Sequence, residues 1–189
     1  MYKVKEAFYT LQGEGAQQGR AAVFCRFSKC NLWTGRERDR STAISQFCDT
    51  DFVGTDGQNG GMFQNAENLS QHLDTLWPLG QPHKFVVCSG GEPLLQLDAT
   101  LIKALHQRQF EIAVETNGTL PAPEGIDWLC VSPKSTAKVV IDHCDELKLV
   151  YPQTDAPPEN FSAISARYFF LSPMADPHHI NGVDTTKEK

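Results

Sequence analysis

The sequence predicts an α/β fold in which a parallel sheet, either open or curled into a barrel, is covered by helices. Three observations support this prediction. Short strand-like runs rich in Val, Ile, Phe or Tyr alternate with helical segments along the 189 residues. Polar clusters follow several of these runs, which is where parallel folds place their active sites. The length fits one domain, predicted here over residues 1–189.

The strands and helices can be placed from their apolar patterns. Strand-like runs lie at residues 22–27, 84–88, 111–115, 128–131, 147–151 and 168–171, and residues 1–6 lead into a further strand-like segment. Helices are predicted at 66–76 and 97–107, where Leu, Ile and Ala recur three and four residues apart and Asp98 is a candidate N-cap. Residues 49–64, with four Gly, and 152–159, with three Pro, are expected to be loops.

Composition excludes several classes of function. The formal net charge of -6 leaves no broad basic face, so non-specific nucleic-acid binding is not expected. The sequence has no run of about 18 apolar residues that would span a bilayer. It also shows no secretory signal at its start, so a cytoplasmic protein without membrane association is predicted.

The six cysteines divide into two groups. In a reducing cytosol, structural disulfides are not expected, which leaves buried thiols, metal ligands or redox groups. Four cysteines lie in or beside apolar strand-like runs and are expected to be small core residues. These are Cys25, Cys88, Cys130 and Cys144. Cys30 and Cys48 lie in polar, loop-like surroundings and are therefore candidate ligands.

Three polar clusters follow predicted strands. They are Ser-Gly-Gly-Glu-Pro at 89–93, Glu-Thr-Asn-Gly at 115–118 and Ser-Pro-Lys at 132–134. Because side chains alternate along a strand, Glu115 and Asn117 are expected on one face. Arg26 ends its own strand, and we expect it to converge with Glu115 and Asn117 on one pocket. The alternative for Arg26 is a strand-end charge that extends into solvent.

Six motifs occur in a fixed order along the chain. They are Gln-Gly-Glu-Gly at 12–15, Phe-Cys-Arg-Phe at 24–27, Cys-Asn-Leu-Trp at 30–33, Phe-Cys-Asp-Thr-Asp-Phe at 47–52, Gly-Gly-Glu-Pro-Leu-Leu-Gln at 90–96 and Glu-Thr-Asn-Gly-Thr at 115–119. With these motifs, nearly the whole chain resembles the 7-carboxy-7-deazaguanine synthase family of radical S-adenosylmethionine (radical SAM) enzymes. The fifth and sixth motifs recur across that superfamily, whereas Gln-Gly-Glu-Gly and Cys-Asp-Thr narrow the resemblance to the family.

The resemblance implies a fold, a reaction and a set of partners. The fold would be an incomplete, modified parallel (β/α) barrel of the radical SAM type, in a homodimer. The reaction would be that of a carbon-nitrogen lyase of queuosine and 7-deazapurine biosynthesis. It would contract 6-carboxy-5,6,7,8-tetrahydropterin to 7-carboxy-7-deazaguanine with loss of ammonia. The cofactors would be a [4Fe-4S] cluster, S-adenosylmethionine and Mg²⁺, with an external reductant such as flavodoxin or ferredoxin.

The resemblance also assigns roles to individual residues. The metal ligands would be Cys30, Ser45 and Cys48 for the cluster and the Thr50 hydroxyl for Mg²⁺, an ion that prefers oxygen. The catalytic candidates are Glu14, Glu115 and Asn117, and the other substrate-binding candidates are Leu11, Gln12, Gly13, Arg26 and Ser89. The guanidinium of Arg26 suits a carboxylate because it donates two parallel hydrogen bonds. S-adenosylmethionine would be bound by Gly91, Ser132, Pro133, Lys134, Ser172, Pro173, Met174 and Ala175.

Ser45 is the main departure from the family pattern. One branch of the family spaces its cluster thiolates as Cys, fourteen residues, Cys, two residues, Cys. Cys30 and Cys48 fit the outer positions, and the middle position is Ser45. A hydroxyl is a harder and less acidic donor than a thiol, so it is expected to bind a cluster more weakly.

Further departures lie beside the cluster loop and near the end of the chain. Lys29 stands where the family usually has Gly, and Ser172 and Ala175 replace the more usual Gln and acidic residue. The sequence is expected to lack the family's last helix and strand, whose His commonly reaches the substrate. His178 and His179 lie too early in the chain for that role.

Two other functions remain open at this stage. One is a cluster-poor relative that keeps the barrel and binds a pterin, a nucleoside or a protein partner. The other is a different radical SAM enzyme, such as an activase that generates a glycyl radical. The Gln-Gly-Glu-Gly motif and Thr50 argue against the activase. Iron and sulfide content after anaerobic reconstitution would separate the synthase from the cluster-poor relative.

Overall fold

The computed structural model describes residues 1–174. In this part of the chain, eight strands and two α-helices follow one another. The strands are β1 (Tyr2–Leu11), β2 (Ala21–Phe27), β3 (Gly61–Phe63), β4 (Phe85–Gly90), β5 (Glu111–Thr116), β6 (Trp128–Val131), β7 (His143–Tyr151) and β8 (Ser165–Pro173). The helices are α1 (Ala66–Leu76) and α2 (Ala99–Gln107). Short 3₁₀ turns occur at Gly15–Gln17, Glu37–Thr42, Pro93–Leu95 and Pro158–Phe161.

The strands form one open sheet in the order β3-β1-β2-β4-β5-β6-β7-β8. Every neighbouring pair from β2 to β8 is parallel, which confirms the predicted parallel α/β fold for six strands. β1 is antiparallel to both β2 and β3, so the complete sheet is mixed. The connection from β1 to β2 is too short for a parallel crossover, and this forces the reversal. The sheet does not close, as expected for an incomplete barrel.

The two predicted helices are present and pack on the first half of the sheet. α1 has the predicted bounds, and α2 begins two residues later than expected because Asp98 caps it by accepting a hydrogen bond from the Leu101 amide. The helices bury Leu69, Leu73, Leu101 and Leu105 completely. Together with the strands they form the main hydrophobic core, which also contains Cys25 and Cys88.

The second half of the sheet differs from the expected strand-helix alternation. In the described residues, the connections after β5 contain no α-helix. A smaller core covers this half and includes Val131, Leu147, Leu149 and Phe161. Within residues 1–174, no helix is long and apolar enough to cross a membrane.

Most of the predicted thiol environments are confirmed. Cys25, Cys88 and Cys130 are buried, as expected for small core residues, and Cys144 is half-buried in β7. Burial raises the pKa of the Cys88 thiol to about 12, and burial followed by the charge of Asp145 raises that of Cys144 to about 11. Burial also raises the thiol pKa of Cys25 and Cys130, so these four cysteines are poor thiolates in the folded chain.

Candidate active site

Three predicted site residues meet where β4 and β5 end. The Glu115 carboxylate accepts a hydrogen bond from the Gln12 side-chain amide at 3.0 Å and another from the Ser89 hydroxyl at 3.4 Å. Ser89 and Glu115 come from neighbouring parallel strands, whereas Gln12 follows β1. The structure thus joins one catalytic candidate to two substrate-binding candidates.

Gln12 also organises the loop formed by residues 12–16. The Gln12 side-chain oxygen accepts a hydrogen bond from the Glu14 backbone amide at 3.2 Å. The Gln12 backbone amide donates to the Arg20 carbonyl at 2.8 Å. Gln12 is 7% exposed, while the preceding Leu11 is 61% exposed. A Cβ atom at Gly13 would meet no other atom within 4 Å. Leu11 and Gly13 therefore face open space beside the Glu115 cluster.

Two charged residues of β7 complete this cluster, and sequence reasoning missed both. Lys148 lies 2.8 Å from a Glu14 oxygen and 3.5 Å from a Glu115 oxygen, and it is only 7% exposed. Burial lowers the pKa of Lys148, but the carboxylates of Glu115 and Glu14 outweigh it, so the pKa lies above its ordinary value. Glu146 accepts a hydrogen bond from the Ala16 amide at 3.0 Å.

Arg26 is adjacent to this cluster but has its own partner. In the sheet it lies opposite Ser89 of β4, and β4 separates it from Glu115 of β5. Its Nε donates to a Glu6 oxygen at 2.7 Å, and the Arg26 side chain is 24% exposed. The guanidinium is thus held against the sheet by Glu6, not extended into solvent. Its two terminal nitrogens have no hydrogen-bond partner among residues 1–174.

Asn117 points to a different group of residues from Glu115. Its side-chain amide donates to Asn31 at 3.0 Å, and its oxygen accepts from the Thr119 amide at 3.0 Å. Asn117 and Glu115 share no direct hydrogen bond in the described part of the chain. The structure therefore places Asn117 beside the loop that follows Cys30, at the other side of the strand ends.

Glu92 links the β4 turn to the end of β5. This carboxylate is fully buried and accepts hydrogen bonds from the Leu94 amide at 2.9 Å, the Thr116 hydroxyl at 2.8 Å and the Asn117 amide at 2.9 Å. Burial raises the pKa of Glu92, while these donors oppose the rise. Glu92 is thus a structural residue that fixes Asn117.

The candidate cluster ligands lie on two loops that are tied together. The Ile44 amide donates to the Leu32 carbonyl at 3.1 Å, which brings the segment before Ser45 against the segment after Cys30. Cys30 is half-buried, its sulfur accepts a hydrogen bond from the Leu32 amide at 3.4 Å, and burial raises the pKa of its thiol.

Ser45 is unusual because its hydroxyl lacks a partner. The residue is 4% exposed, and its Oγ is the one buried side-chain polar atom in residues 1–174 without a hydrogen bond. A buried hydroxyl without a hydrogen bond costs free energy, so the Ser45 Oγ is compatible with a role as an oxygen donor to a bound group. Cys30, Ser45 and Cys48 supply two thiols and one hydroxyl, and their joint role as cluster ligands stays a prediction.

Arg40 holds the second ligand loop, and sequence reasoning did not identify it. Its Nη1 donates to the carbonyls of Gln46 at 2.7 Å and Cys48 at 2.9 Å. The guanidinium also stacks on the Trp33 ring, 4.1 Å from its centroid. Arg40 thus joins the loop of Cys48 to the loop of Cys30.

Gly91 brings the β4 turn against the loop of Cys30. A Cβ atom at Gly91 would lie 2.5 Å from the carbonyl carbon of Lys29 and 2.9 Å from the Cβ of Cys30. The neighbouring Glu92 amide donates to the Lys29 carbonyl at 2.9 Å. Only glycine allows this close approach of two backbones. Lys29 itself has a φ of +79°, a left-handed conformation that suits the Gly usual in the family.

The remaining cofactor candidates lie at the ends of β6 and β8. Lys134 donates to the Ser132 hydroxyl at 2.7 Å, and burial, followed by the positive charge of Lys148, lowers the pKa of Lys134. Pro133 accepts a hydrogen bond from Gln153 at 3.5 Å. At the end of β8, Ser172 and Pro173 precede Met174, whose amide donates to the Tyr151 carbonyl at 2.8 Å.

Thr50 and the end of the chain contain the remaining predicted site residues. Thr50 is half-buried, and its hydroxyl makes no hydrogen bond to another residue in the described range. Ala175, His178 and His179 lie outside the described residues. A cavity of about 330 Å³ is lined by Lys3, Ser28 and Lys29 among others, but it contains none of the predicted site residues.

Comparison with known proteins identifies the family. No family model matches the chain. The 7-carboxy-7-deazaguanine synthase of Caulobacter vibrioides is 60% identical over 176 residues, which cover 93% of this chain and 84% of that protein. The enzyme of the same name from Bordetella pertussis shows the same identity and coverage.

A solved structure shows the same fold. It is described as the crystal structure of QueE from Escherichia coli, and it superposes with a TM-score of 0.65 at 22% sequence identity. The match covers 93% of this chain and 85% of that one. The identities to the two synthases extend over most of both sequences. The chain therefore belongs to the 7-carboxy-7-deazaguanine synthase family.

Proposed function

We propose that this chain is a 7-carboxy-7-deazaguanine synthase that contracts the ring of 6-carboxy-5,6,7,8-tetrahydropterin with loss of ammonia. Glu115 carries the proposal: at the carboxyl end of β5, its carboxylate is oriented by Gln12, Ser89 and Lys148. A carboxylate held by three partners at a strand end is suited to bind and exchange protons with a nitrogen heterocycle.

The residues around Glu115 have separate proposed roles. Arg26 would bind the substrate carboxylate through its two free terminal nitrogens while Glu6 holds its Nε. Glu14, on the loop above, would receive or donate a proton during loss of ammonia. Asn117 and Gly91 would contact the substrate and S-adenosylmethionine at the far side of the strand ends.

The cofactors are part of the proposal. Cys30, Ser45 and Cys48 would hold an iron-sulfur cluster, and Ser132–Lys134 and Ser172–Ala175 would line the S-adenosylmethionine side. When bound, these two groups would supply the electron and the radical that removes a hydrogen atom from the pterin. Thr50 would bind Mg²⁺ through its unpartnered hydroxyl, together with substrate oxygen and water.

The proposal includes two protein partners, a second copy of this chain and an external reductant. A homodimer is consistent with β8, the last strand of the sheet among residues 1–174, where Phe169 is 63% exposed and Leu171 is 60% exposed. An external reductant such as flavodoxin or ferredoxin would deliver the electron. These partners would complete a system acting on a small molecule.

Product formation tests the function directly. The protein would be reconstituted anaerobically with iron and sulfide, then supplied with S-adenosylmethionine, reductant and the tetrahydropterin, and 7-carboxy-7-deazaguanine would be measured by mass spectrometry. We expect turnover, and we expect Glu115→Gln to lower it by about 10²-fold or more. Product formation at the wild-type rate by Glu115→Gln would contradict the role of this carboxylate.

Ser45 also favours a second candidate function, that of a cluster-poor binding protein. The orphan hydroxyl supports ligation by oxygen, but an oxygen donor holds iron-sulfur clusters less firmly than a thiolate. We expect Ser45→Cys to raise the iron and sulfide content per chain and to deepen the cluster absorption. Ser41→Cys, which adds a thiol at an exposed nearby position, serves as the matched control.

The outcomes separate the two functions. Four irons per wild-type chain, with no gain in Ser45→Cys, would contradict the weak-ligand argument. Little iron in the wild type, no product, and equal pterin binding by the wild type and Ser45→Cys would instead favour the binding protein.

A further inference from the structure

We propose that Glu146 and Lys148 of β7 are positioning residues that together hold the loop at residues 12–16 over the candidate active site. Lys148 has the additional role of bridging Glu14 to Glu115. The inference rests on the proposed function, because it assigns roles within the same site.

The period of β7 places both residues on one face of the sheet. Side chains alternate along a strand, so Glu146 and Lys148 share a face, while Leu147 and Leu149 lie on the other face in the smaller core. Glu146 is 3% exposed and Lys148 is 7% exposed. Charged side chains are rarely buried this deeply unless they are paired, so the partners of Glu146 and Lys148 indicate what the two residues hold in place.

Lys148 connects two chain segments that are far apart in sequence. It forms an ion pair with Glu14 at 2.8 Å and a longer one with Glu115 at 3.5 Å. The Glu14 side chain is 61% exposed, and its carboxylate has no other ion-pair partner in residues 1–174. Without Lys148, Glu14 would be free to turn into water, and two carboxylates would face each other without a cation between them.

Glu146 holds the backbone of the same loop. Its carboxylate accepts a hydrogen bond from the Ala16 amide at 3.0 Å and lies 3.6 Å from the Cys130 sulfur. The Gly15 backbone, with a φ of +70°, passes so close that a Cβ atom there would collide with the Glu146 carboxylate. Glu146 therefore holds the backbone of the loop, and Lys148 holds the Glu14 side chain.

The loop position determines the geometry of the cluster around Glu115. Gln12, from the same loop, donates to one Glu115 oxygen, and Lys148 approaches that same oxygen. The titratable groups around Lys148 are Glu14, Glu115, the neutral thiol of Cys130 and Lys134, and Glu146 shares its face of β7. Loss of Lys148 would leave Glu115 held by Gln12 and Ser89 only, with Glu14 released. Misplacement of catalytic groups by about an ångström lowers rates by about 10²-fold.

Lys148→Met tests the bridge, because it keeps the unbranched shape and most of the length of the side chain and removes the charge. The readouts are the affinity for 6-carboxypterin, a stable probe that needs no turnover, and the kcat and KM of the reconstituted enzyme. We expect about tenfold weaker probe binding and about 10²-fold lower kcat/KM, with iron content unchanged. Lys103→Met, at an exposed position of α2, is the matched control and should bind the probe as the wild type does.

Two further variants separate positioning from folding. Lys148→Arg retains a cation and should recover part of the lost affinity. Glu14→Gln changes an exposed partner and should fold whatever Lys148→Met does. We expect Glu14→Gln to weaken probe binding roughly fivefold, and the double variant Lys148→Met/Glu14→Gln to bind no worse than Lys148→Met.

The outcomes distinguish this inference from the proposed function. Wild-type-like probe binding and kinetics in both Lys148→Met and Glu14→Gln would overturn the positioning role and leave the synthase intact. Probe binding by the wild type without product would overturn the synthase, while the binding data would still decide the role of Lys148. Absence of probe binding by the wild type would overturn both.

Discussion

Gly91→Ala is expected to destabilise the protein through packing alone. The added Cβ would lie 2.5 Å from the Lys29 carbonyl carbon and 2.9 Å from the Cys30 Cβ, both well inside ordinary contact distance. Overpacking of this kind costs about 1–3 kcal/mol. Displacing Lys29 would also strain the 2.9 Å hydrogen bond from the Glu92 amide, which contributes about 1 kcal/mol. The expected loss in the free energy of unfolding is therefore about 2–4 kcal/mol.

Thermal and urea unfolding, followed by circular dichroism, would measure this loss. For a chain of this size, 1 kcal/mol corresponds to about 2–4 °C, so we expect Tm to fall by about 10 °C. Gly61→Ala is the matched control, since its Cβ would lie 3.6 Å from the Phe63 ring, an ordinary contact. Equal shifts in Tm for Gly91→Ala and Gly61→Ala would contradict the close approach of the Lys29 and Gly91 backbones.

Two further predictions concern Mg²⁺ and thiol reactivity. Thr50→Ala should lower turnover mainly at low Mg²⁺, because the hydroxyl would be one ligand among several, and an equal loss at every Mg²⁺ concentration would argue against that role. Because the pKa of Cys144 is raised from 9.0 to about 11, its alkylation by iodoacetamide at pH 8 should be about 100-fold slower in the folded than in the urea-unfolded chain. The alkylation rate of the folded chain should rise with pH up to about 11. Mass spectrometry of the Cys144 peptide measures both rates, and equal rates in the folded and unfolded chains would contradict the raised pKa.

The sequence patterns predicted the centre of the fold better than its edge. The strand-like runs at 22–27 and 128–131 and the helix at 66–76 lie within one residue of the observed elements, since their apolar spacing is local. β3 was missed because three residues in a Gly-rich segment carry no period. The reversal of β1 depends on pairing between distant segments, which no local pattern encodes.

The site residues that lie in motifs at the ends of strands could be predicted from the sequence. The residues that reach the site from a distant strand of the sheet could not. Gln12, Ser89 and Glu115 were expected near one another and are joined by hydrogen bonds. Lys148 and Glu146 were missed because β7 was considered only as an apolar run. The signal was present in the sequence: two charged residues two positions apart alternate with Leu in a strand of a parallel sheet, and such a pattern places both charges on one buried face.

Glu92 has a further consequence for how the strand ends respond to ligands. Its three donors come from the turn after β4 and from the end of β5, so separating these segments would leave a buried carboxyl group without hydrogen bonds. The two strand ends therefore behave as a single rigid body, and ligands meet a surface that loses little conformational entropy on binding. The parts of the site that can still adjust are then the loops at residues 12–16 and 30–48, which Lys148 and Arg40 contact.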